Sequence, residues 1–394
     1  MILPPRFTFP ILNPSTFSLF VLLATSNISV TLGNPQIDHE LNLNVMEWAK
    51  TQGAFISEHV EIRDIDEGLS GLFASQSILK GEIISTVPLN LTISAQSEYF
   101  DDEDDYDTEM CHLLHNVHSS IIKNDTIQTP YERYLTSRTH HHIPSNWSPQ
   151  AKKMLKQLDG PSTAPLFGFE FHDVKERIQT CGGFDENMAT DSKFADAASL
   201  TYTRSEGVEG IALVPFMDLI NHANGKRLNI DANHVLGEKF EYIATRTIEK
   251  GEQLNCSYNR CSYCTCFEQG NGVTPHLFFE YGFVETLPQR WAFANVDLIF
   301  DIDEKEGNVD DELEVNFVNP PTKADVYFMN KELKRLSFVR RRYLKNSERK
   351  MAKISELELD SITKFHKAFV DAFTHALKSV EAVKQKRNIG TMAG

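Results

Sequence analysis

The chain has 394 residues, a length more typical of two domains than of one. Hydrophobic residues make up 41% of it and charged residues 24%, which is ordinary for a packed protein. The formal net charge is −16. Because such a chain repels phosphate backbones, we expect no nucleic-acid partner.

The N-terminal residues 1–36 are predicted to be a targeting segment. Arg6 is their only charged side chain, and the apolar run FSLFVLLA follows at 17–24. This run is shorter than the about 20 residues that a membrane-spanning helix needs, and the pattern is typical of a secretory signal peptide. A plastid or mitochondrial presequence and a disordered tail are alternatives. The expected localisation is therefore the secretory pathway or an organelle, with no membrane span in the mature chain.

Short strands and then helices follow in chain order. Residues 45–60 predict a short helix and a strand, and residues 68–94 predict a hairpin-rich β segment because apolar residues alternate around Gly71 and Gly81. Residues 109–200 are predicted to be mainly helical. This pattern predicts a small β unit that is interrupted by a long helical insert.

One helix of this insert has clear boundary signals. In the segment WSPQAKKMLKQLDG, Ser148 is placed to cap the helix, Pro149 suits its first position and Gly160 its end. Upstream, the acidic run at 101–107 is expected to be a solvated loop.

Three further apolar segments are predicted to be strands. Residues 211–222 (IALVPFMDLINH) form an apolar run with a polar end. Residues 240–258 alternate, turn at Lys250-Gly251 and begin another strand, and residues 276–285 (HLFFEYGFVE) follow. Polar residues at the ends of buried strands must be hydrogen-bonded or functional, so these ends are candidate site positions.

The last part of the chain, 290–394, is predicted to be a helical lobe. Apolar residues recur there at three- and four-residue spacing, which indicates a long amphipathic helix; they are Leu359, Ile362, Phe365, Phe369, Phe373, Leu377 and Val380. Basic residues concentrate at 331–350. They fit a solvated helix face or a surface that docks an acidic protein.

In combination, these segments resemble the SET-domain protein methyltransferases, and more narrowly the group of Rubisco large-subunit lysine methyltransferase and actin-histidine methyltransferase. The resemblance is carried by five pieces in order: GLFASQSILKGEIISTVP, TPYERYL with WSPQAKKMLKQLDG, VPFMDLINHANG, IATRTIEKGEQLNCSY and LFFEYGFVE. Each piece alone is nonspecific, whereas the ordered set is specific.

The resemblance implies an α+β fold. It predicts a split SET domain of small β-sheets with pseudoknot-like threading at 45–285, a helical insert at about 109–200, and a mostly α-helical substrate-docking lobe at 290–394. It also implies a monomer that transfers a methyl group from S-adenosyl-L-methionine to a lysine of a protein substrate. Histidine methylation, or a catalytically inactive SET fold that acts as a binding module, are the alternatives.

Carried over by position, the resemblance assigns the site residues. Tyr258 is implied to be the catalytic tyrosine, which aligns the methyl group for in-line attack by a neutral nitrogen. Tyr281 and Phe283 are implied to form the aromatic wall of the substrate channel. The implied cofactor-binding residues are Gly68, Leu69, Ser70, Gly71, Leu72, Arg204, Asp218, Asn221, His222, Tyr258 and Phe283.

The sequence departs from the pattern of the group in two places. Gly68 and Gly71 are separated by two residues where the group shows Gly-x-Gly, and the stretch 259–273 is inserted after Tyr258. Four cysteines crowd in and before this insert, so a zinc site, a local disulfide and free thiols are alternatives there, with no metal as the leading expectation. They are Cys256, Cys261, Cys264 and Cys266.

Overall fold

A computed structural model describes most of the chain after the targeting segment. The described residues are 35–65, 69–95, 106–123, 128–138, 143–159, 181, 192–206, 211–235, 239–259, 273–293, 296–305, 313–344 and 353–392. Apart from its last two residues, the segment 1–36 lies outside them. None of the helices within the described ranges has the length and apolar character needed to cross a membrane.

The N-terminal half alternates short strands with helices, as the sequence predicts. Its strands are β1 Phe55–Ile56, β2 Val60–Ile65, β3 Leu69–Ala74, β4 Ile83–Pro88, β5 Ile93–Ser94 and β6 Ser205–Glu206. Its helices are α1 Pro35–Thr51, α2 Tyr106–Ile121, α3 Pro130–Ser137, α4 Pro149–Asp159 and α5 Ser192–Arg204. The helices α2 to α5 belong to the insert that splits the strands.

The C-terminal half contains further short strands and two long helices. The strands are β7 Ala212–Leu213, β8 Asn221–His222, β9 Ile230–Val235, β10 Lys239–Ala244, β11 Asn255–Cys256, β12 Gln289–Phe293, β13 Leu298–Glu304 and β14 Leu313–Phe317. The helices are α6 Thr274–Tyr281, α7 Lys323–Val339 and α8 Glu356–Met392, with a π-helical turn at Arg340–Leu344.

Local sequence explains where the insert helices begin. Thr129 and Glu132 form a capping box before α3, with Pro130 at the first helical position. Ser148 Oγ accepts a hydrogen bond from the Ala151 amide at 3.2 Å, so the predicted cap of α4 is confirmed.

The strands pair into several small sheets. One has the order β1-β4-β10-β9 and is antiparallel throughout, β2 pairs with β3, and β7 lies between β5 and β6. β8 and β11 form a parallel pair, and β12-β13-β14 form an antiparallel sheet. Small sheets together with helices confirm the predicted α+β class.

Two hydrophobic cores fill the described part of the chain. The first joins α1, the strands β1 to β5, β7, β9 and β10, and the helices α2, α3 and α5. The second joins α4, α6 and the C-terminal lobe, which we define as residues 289–392. An insert helix therefore contributes to the core of the lobe, and residues 33–394 form one compact unit.

The structure corrects three readings of the apolar segments. The run 211–222 is not one strand, since a 3-10 helix at Met217–Leu219 separates β7 from β8. The segment 274–281 is a helix, because Pro275 suits its start and Gly282 ends it in the left-handed conformation with a φ of 80°. The strand expected near the end of 240–258 is only the two-residue β11.

The lobe is helix-rich, and the sheet β12-β13-β14 adds to what the sequence analysis anticipated. The long amphipathic helix is confirmed as α8, whose stripe residues Ile362, Phe365, Phe369 and Phe373 are fully buried.

One pair of cysteines forms a disulfide. Cys111 of α2 is bonded to Cys181, with a Cα–Cα distance of 5.3 Å across 70 residues of sequence. The even cysteine count permits such a bond, whereas the sequence predicts a disulfide, as one alternative, among the cysteines at 256–266. The bond joins α2 to Cys181 and encloses α3 and α4, so it restricts the unfolded chain over that stretch.

Candidate functional site

The site forms where two short strands meet in parallel. β8 lies beside β11, with Asn221 opposite Asn255 and His222 opposite Cys256. On its other side the segment before β11 bonds to β3, because the Leu254 amide donates to the Leu72 carbonyl at 2.8 Å. The chain near 254–256 thus lies between β3 and β8, which is the threading that the resemblance implies.

Gly71 of β3 lies in close contact with the neighbouring segments. A Cβ atom there would lie 2.8 Å from Asn221 Nδ2 and from Gln253 Nε2, and 2.9 Å from Ile65 Cδ1. Asn221 Nδ2 also donates to the Ser70 carbonyl at 3.2 Å. A larger residue would displace these side-chain ends, so glycine lets the backbone of β3 and the Asn221 amide approach closely.

Tyr258 is fixed at both its backbone and its hydroxyl. Its amide donates to His222 Nδ1 at 3.0 Å, and its hydroxyl donates to the Ile220 carbonyl at 2.7 Å. Burial is the main cause that raises the pKa of the phenol well above 10, and Arg204 opposes this shift. The phenol is therefore neutral at pH 7, and its oxygen keeps lone pairs that can accept further contacts.

Aromatic rings surround this tyrosine. Its ring centroid lies 5.0 Å from that of Tyr281, 5.3 Å from that of His222 and 6.4 Å from that of Phe283. The rings of Tyr281 and Phe283 lie 6.1 Å apart. Clustered aromatic faces of this kind favour a positively charged group between or beside them.

A buried polar network supports His222 from behind. His222 Nδ1 accepts from the Tyr258 amide, so Nε2 carries the proton and donates to Glu285 Oε2 at 3.0 Å. The side chains of His222 and Glu285 are 3% and 1% exposed. The same carboxylate accepts from Asn224 Nδ2 at 2.9 Å and from the Thr274 hydroxyl. The imidazole is therefore fixed in one neutral tautomer.

The sequence predicts His222 but not the other members of its network. Glu285 is the last residue of LFFEYGFVE and Asn224 lies within VPFMDLINHANG, and the sequence assigns neither of them a role. Glu285 is an acidic residue in a largely apolar segment. Because buried carboxylates need partners, this position could have indicated a buried network.

Arg204 and Asp218 form a second buried pair near the site. Arg204 Nη1 donates to the Asp218 carbonyl at 3.0 Å and lies 3.4 Å from Asp218 Oδ2. Burial is the main cause that raises the pKa of the Asp218 carboxyl, whereas Arg204 opposes it. Burial also raises the pKa of Tyr131 and Tyr134, which interact electrostatically with the same pair. These side chains form a buried polar cluster of neutral phenols and one ion pair.

The structure brings together most of the residues that the sequence singled out. Ser70, Gly71, Asn221, His222 and Tyr258 are joined by direct contacts. Tyr281 and Phe283 complete the aromatic cluster.

The remaining predicted residues have other positions. Leu72 is fully buried and bonds the threaded segment through its carbonyl. Leu69 is the first residue of β3, and Gly68 lies outside the described residues.

Of the four cysteines at 256–266, the structure describes only Cys256. Cys256 is a free thiol on β11, and burial raises its pKa. Cys261, Cys264 and Cys266 lie outside the described residues. Within the described ranges, no group of His, Cys, Asp and Glu side chains is arranged to hold a metal ion.

One family model matches the part of the chain that contains the site. Residues 70–259 match the family model described as SET domain. This match begins in β3 and ends one residue after Tyr258, so it includes every strand that meets at the site.

One curated relative is an uncharacterized protein of Schizosaccharomyces pombe. It is 22% identical over 277 residues, which are 63% of this chain and 56% of the relative. The chain therefore spans little more than half the length of that relative, and the match adds no activity.

Solved structures share the fold. A structure of Rubisco LSMT bound to sinefungin and monomethyllysine has a TM-score of 0.50 at 13% identity and covers 88% of this chain and 92% of its own. The SET domain of LSMT bound to lysine and AdoHcy has a TM-score of 0.49 at 12% identity and covers 89% of this chain and 92% of its own. The resemblance stated from the sequence is confirmed at the level of fold, and the chain carries a SET domain.

Proposed function

We propose that this protein transfers the methyl group of S-adenosyl-L-methionine to a protein side chain, and that the acceptor is the ε-amine of lysine. One observation carries the proposal: β3, β8 and Tyr258 converge, and Tyr281 and Phe283 surround their meeting point. A solved structure with a similar fold is described as Rubisco LSMT bound to sinefungin and monomethyllysine, which supports the same chemistry here.

The residues present fit such a cofactor. Gly71 brings the backbone of β3 against Asn221 without an intervening side chain. A backbone edge of this kind, with an Asn amide beside it, suits the amino-acid end of the cofactor. We assign this end to Ser70, Gly71, Asn221 and His222. When bound, the cofactor supplies a methyl group on a sulfonium, which is strongly electrophilic.

Tyr258 positions the reacting groups in this proposal. Its hydrogen is donated to the Ile220 carbonyl, so the hydroxyl oxygen presents lone pairs to a polarised methyl group. The raised pKa keeps the phenol protonated, so Tyr258 does not act as a general base at pH 7. The lysine therefore loses its proton to solvent before it attacks the methyl carbon.

The pocket favours transfer in two further ways. Positive charge is dispersed over methyl, sulfur and nitrogen at the transition state, and the aromatic faces of Tyr281 and Phe283 stabilise such charge. Holding two reactants in line within a narrow site can supply several kcal/mol of the barrier reduction, up to about 7–11 in favourable cases. In this proposal, the linear, unbranched lysine chain enters beside the rings of Tyr281 and Phe283.

The test is methyl transfer with a matched tyrosine control. We expect Tyr258→Phe to bind the cofactor with unchanged affinity and to lose at least about 100-fold in turnover, or about 2.7 kcal/mol. Tyr327→Phe, which changes a side chain that is 72% exposed, should retain full activity. The assay uses labelled cofactor with native lysate, followed by fragmentation mass spectrometry of the labelled proteins.

Three outcomes would contradict parts of this proposal. Label on histidine in the mass spectra would reject lysine and keep methyl transfer. Near-normal turnover of Tyr258→Phe would reject the role of the phenol. If calorimetry of the folded wild type detected no cofactor binding, the SET fold would instead be an inactive binding module.

A further inference from the structure

One face of α7 and of the π-helical turn after it carries basic and aromatic side chains. We define the basic-aromatic face as Tyr327, Lys331, Lys334, Phe338 and Arg341. Their spacing of four, three, four and three residues places them along one side of the helix. Tyr327 is 72% and Phe338 is 52% exposed, and the three basic residues are also exposed.

The acidic residues of the same helix do not neutralise this face. Asp325 is buried and caps the helix through Thr322. Glu332 is buried and pairs with Arg335, which in turn donates to the last carbonyls of α4. Among the described residues, no carboxylate pairs with the lysines of the face.

This accumulation of positive charge runs against the charge of the whole chain. The protein has 55 acidic and 39 basic residues, yet the exposed side of α7 carries cations without acids. A helix face that is only solvated usually mixes both signs. Here Arg342, 5.9 Å from the ring centroid of Phe338, adds a further cation, and the Tyr327 ring remains largely exposed. The combination is typical of a surface that contacts another molecule.

We propose that the basic-aromatic face docks an acidic protein segment that also carries apolar side chains. Tyr327 and Phe338 are eleven residues apart, which is about 16 Å along a helix. About five residues of extended chain cover that distance. Carboxylates of the docked segment pair with the lysines, and its apolar side chains cover the two rings.

Other classes of partner fit this face less well. The lysines lie between the two rings, so inserting the rings into a bilayer would also dehydrate ammonium groups. The net charge of −16 repels nucleic acid beyond the immediate face. The proposal does not depend on methyl transfer, because α7 lies in the C-terminal lobe and none of its residues belongs to the site.

Fluorescence anisotropy on the full chain tests this docking. The probes are labelled peptides of about 12 residues that alternate Glu or Asp with Leu or Phe, and matched peptides with Gln or Lys in place of the acids. The acidic peptides should bind, with an affinity that weakens as salt is added. The Gln and Lys peptides should bind at least about tenfold more weakly.

Charge reversal at the face is compared with the same reversal elsewhere. Lys331→Glu with Lys334→Glu should lower the peptide affinity at least about tenfold. Lys80→Glu with Lys250→Glu makes the same change in net charge at exposed turns of the SET domain and should change affinity less than about twofold. Cofactor affinity should be the same in both double variants.

The contribution of the rings is tested in the same way. Tyr327→Ala with Phe338→Ala should weaken binding about tenfold, whereas Leu79→Ala, at an apolar side chain that is 65% exposed, should have no effect.

Several results would overturn the proposal. One is that no acidic peptide binds at low salt. Another is that the two charge-reversal variants lose equal amounts of peptide affinity. The protein could also bind phosphatidylcholine vesicles containing phosphatidylserine, or single-stranded DNA, more strongly than the acidic peptides. If charge reversal at the face abolished that binding, the face would be assigned to a lipid surface or to a nucleic acid instead.

Discussion

The SET site and the C-terminal lobe are stabilised by different means. At the site, the strands β8 and β11 have two residues each, and hydrogen bonds of His222, Glu285 and Asn221 fix their positions. In the lobe, aromatic rings of α8 stack against the sheet β12-β13-β14, and the buried His366 of α8 donates a hydrogen bond to the Leu336 carbonyl. Directional bonds specify one geometry for chemistry, whereas packing supplies stability with a wider tolerance.

The largest expected effect is a loss of stability in the lobe alone. Phe369 is fully buried, and its ring lies 5.2 Å from Trp291 and 5.3 Å from Phe373. Phe369→Ala should lower the free energy of unfolding by about 3–5 kcal/mol, measured by urea denaturation. Tyr327→Ala, on the surface, should change it by less than about 0.5 kcal/mol.

The same variant also separates the two regions. In the folded Phe369→Ala protein, cofactor affinity measured by calorimetry should change less than about twofold, because the site does not contact this ring. A large loss of affinity without unfolding would show that the lobe controls the site geometry.

The next effect is specific to the site. In Gly71→Ala, the new Cβ would press on the Asn221 and Gln253 amides at 2.8 Å, and their displacement should cost about 1–3 kcal/mol. We expect cofactor affinity to fall by about tenfold to hundredfold in calorimetry.

Gly53→Ala is the matched control for this change. Gly53 has a φ of 103° and open space around it, so alanine there strains the backbone without crowding the site. It should lower stability and leave cofactor affinity unchanged. Equal affinity losses in both variants would mean that Gly71 acts only through folding.

The contrast between the two regions also explains what the sequence could predict. The stripe of α8 has a local period, so its buried face was predictable from spacing alone. Asn221, His222 and Tyr258 were predictable only as ordered motifs, because their contacts join residues 36 or more positions apart. Glu285 was missed because its partner His222 is 63 residues away and no local pattern records such a bond.

The missed elements have local reasons. The sheet at 289–317 includes LIFDIDE, whose alternating burial is typical of a strand, within a lobe predicted to be mostly helical. The helix α6 is a short apolar run, which periodicity alone does not distinguish from a strand; Pro275 and Gly282 are the residues that decide it.

A smaller effect is expected from the carboxylate that supports His222. Glu285→Gln keeps an oxygen that can accept from His222 Nε2 but loses the negative charge, so kcat should fall about tenfold with little change in KM. Glu285→Ala removes the acceptor and should lower kcat further. Long-range proton–nitrogen spectra should show the neutral Nε2–H tautomer of His222 in wild type and in Glu285→Gln.

Glu314→Gln is the control for this pair of variants, since Glu314 is exposed on β14. It should match wild type in kcat. If Glu285→Ala lowered stability but left kcat of the folded enzyme unchanged, the network would be structural and would not position Tyr258.

The smallest expected effect is the contribution of the Tyr258 phenol to the pH profile. Its folded-state pKa is raised well above 10 by burial, so the proton is held more tightly than in the unfolded chain. The neutral, active phenol is therefore fully present below about pH 10, and it is lost only as the pH rises through the higher folded value. Between about pH 7 and 10, the rate of methyl transfer should therefore not fall because of this group.

A lysine acceptor, with an ordinary pKa of about 10.4, should instead make the rate rise across this range. Initial rates of labelled methyl transfer, with the fold checked by circular dichroism at each pH, measure both trends. A maximum near pH 9 followed by a decline in the folded enzyme would show that the phenol ionises in the ordinary range, and a flat profile would favour an acceptor that is already neutral at pH 7.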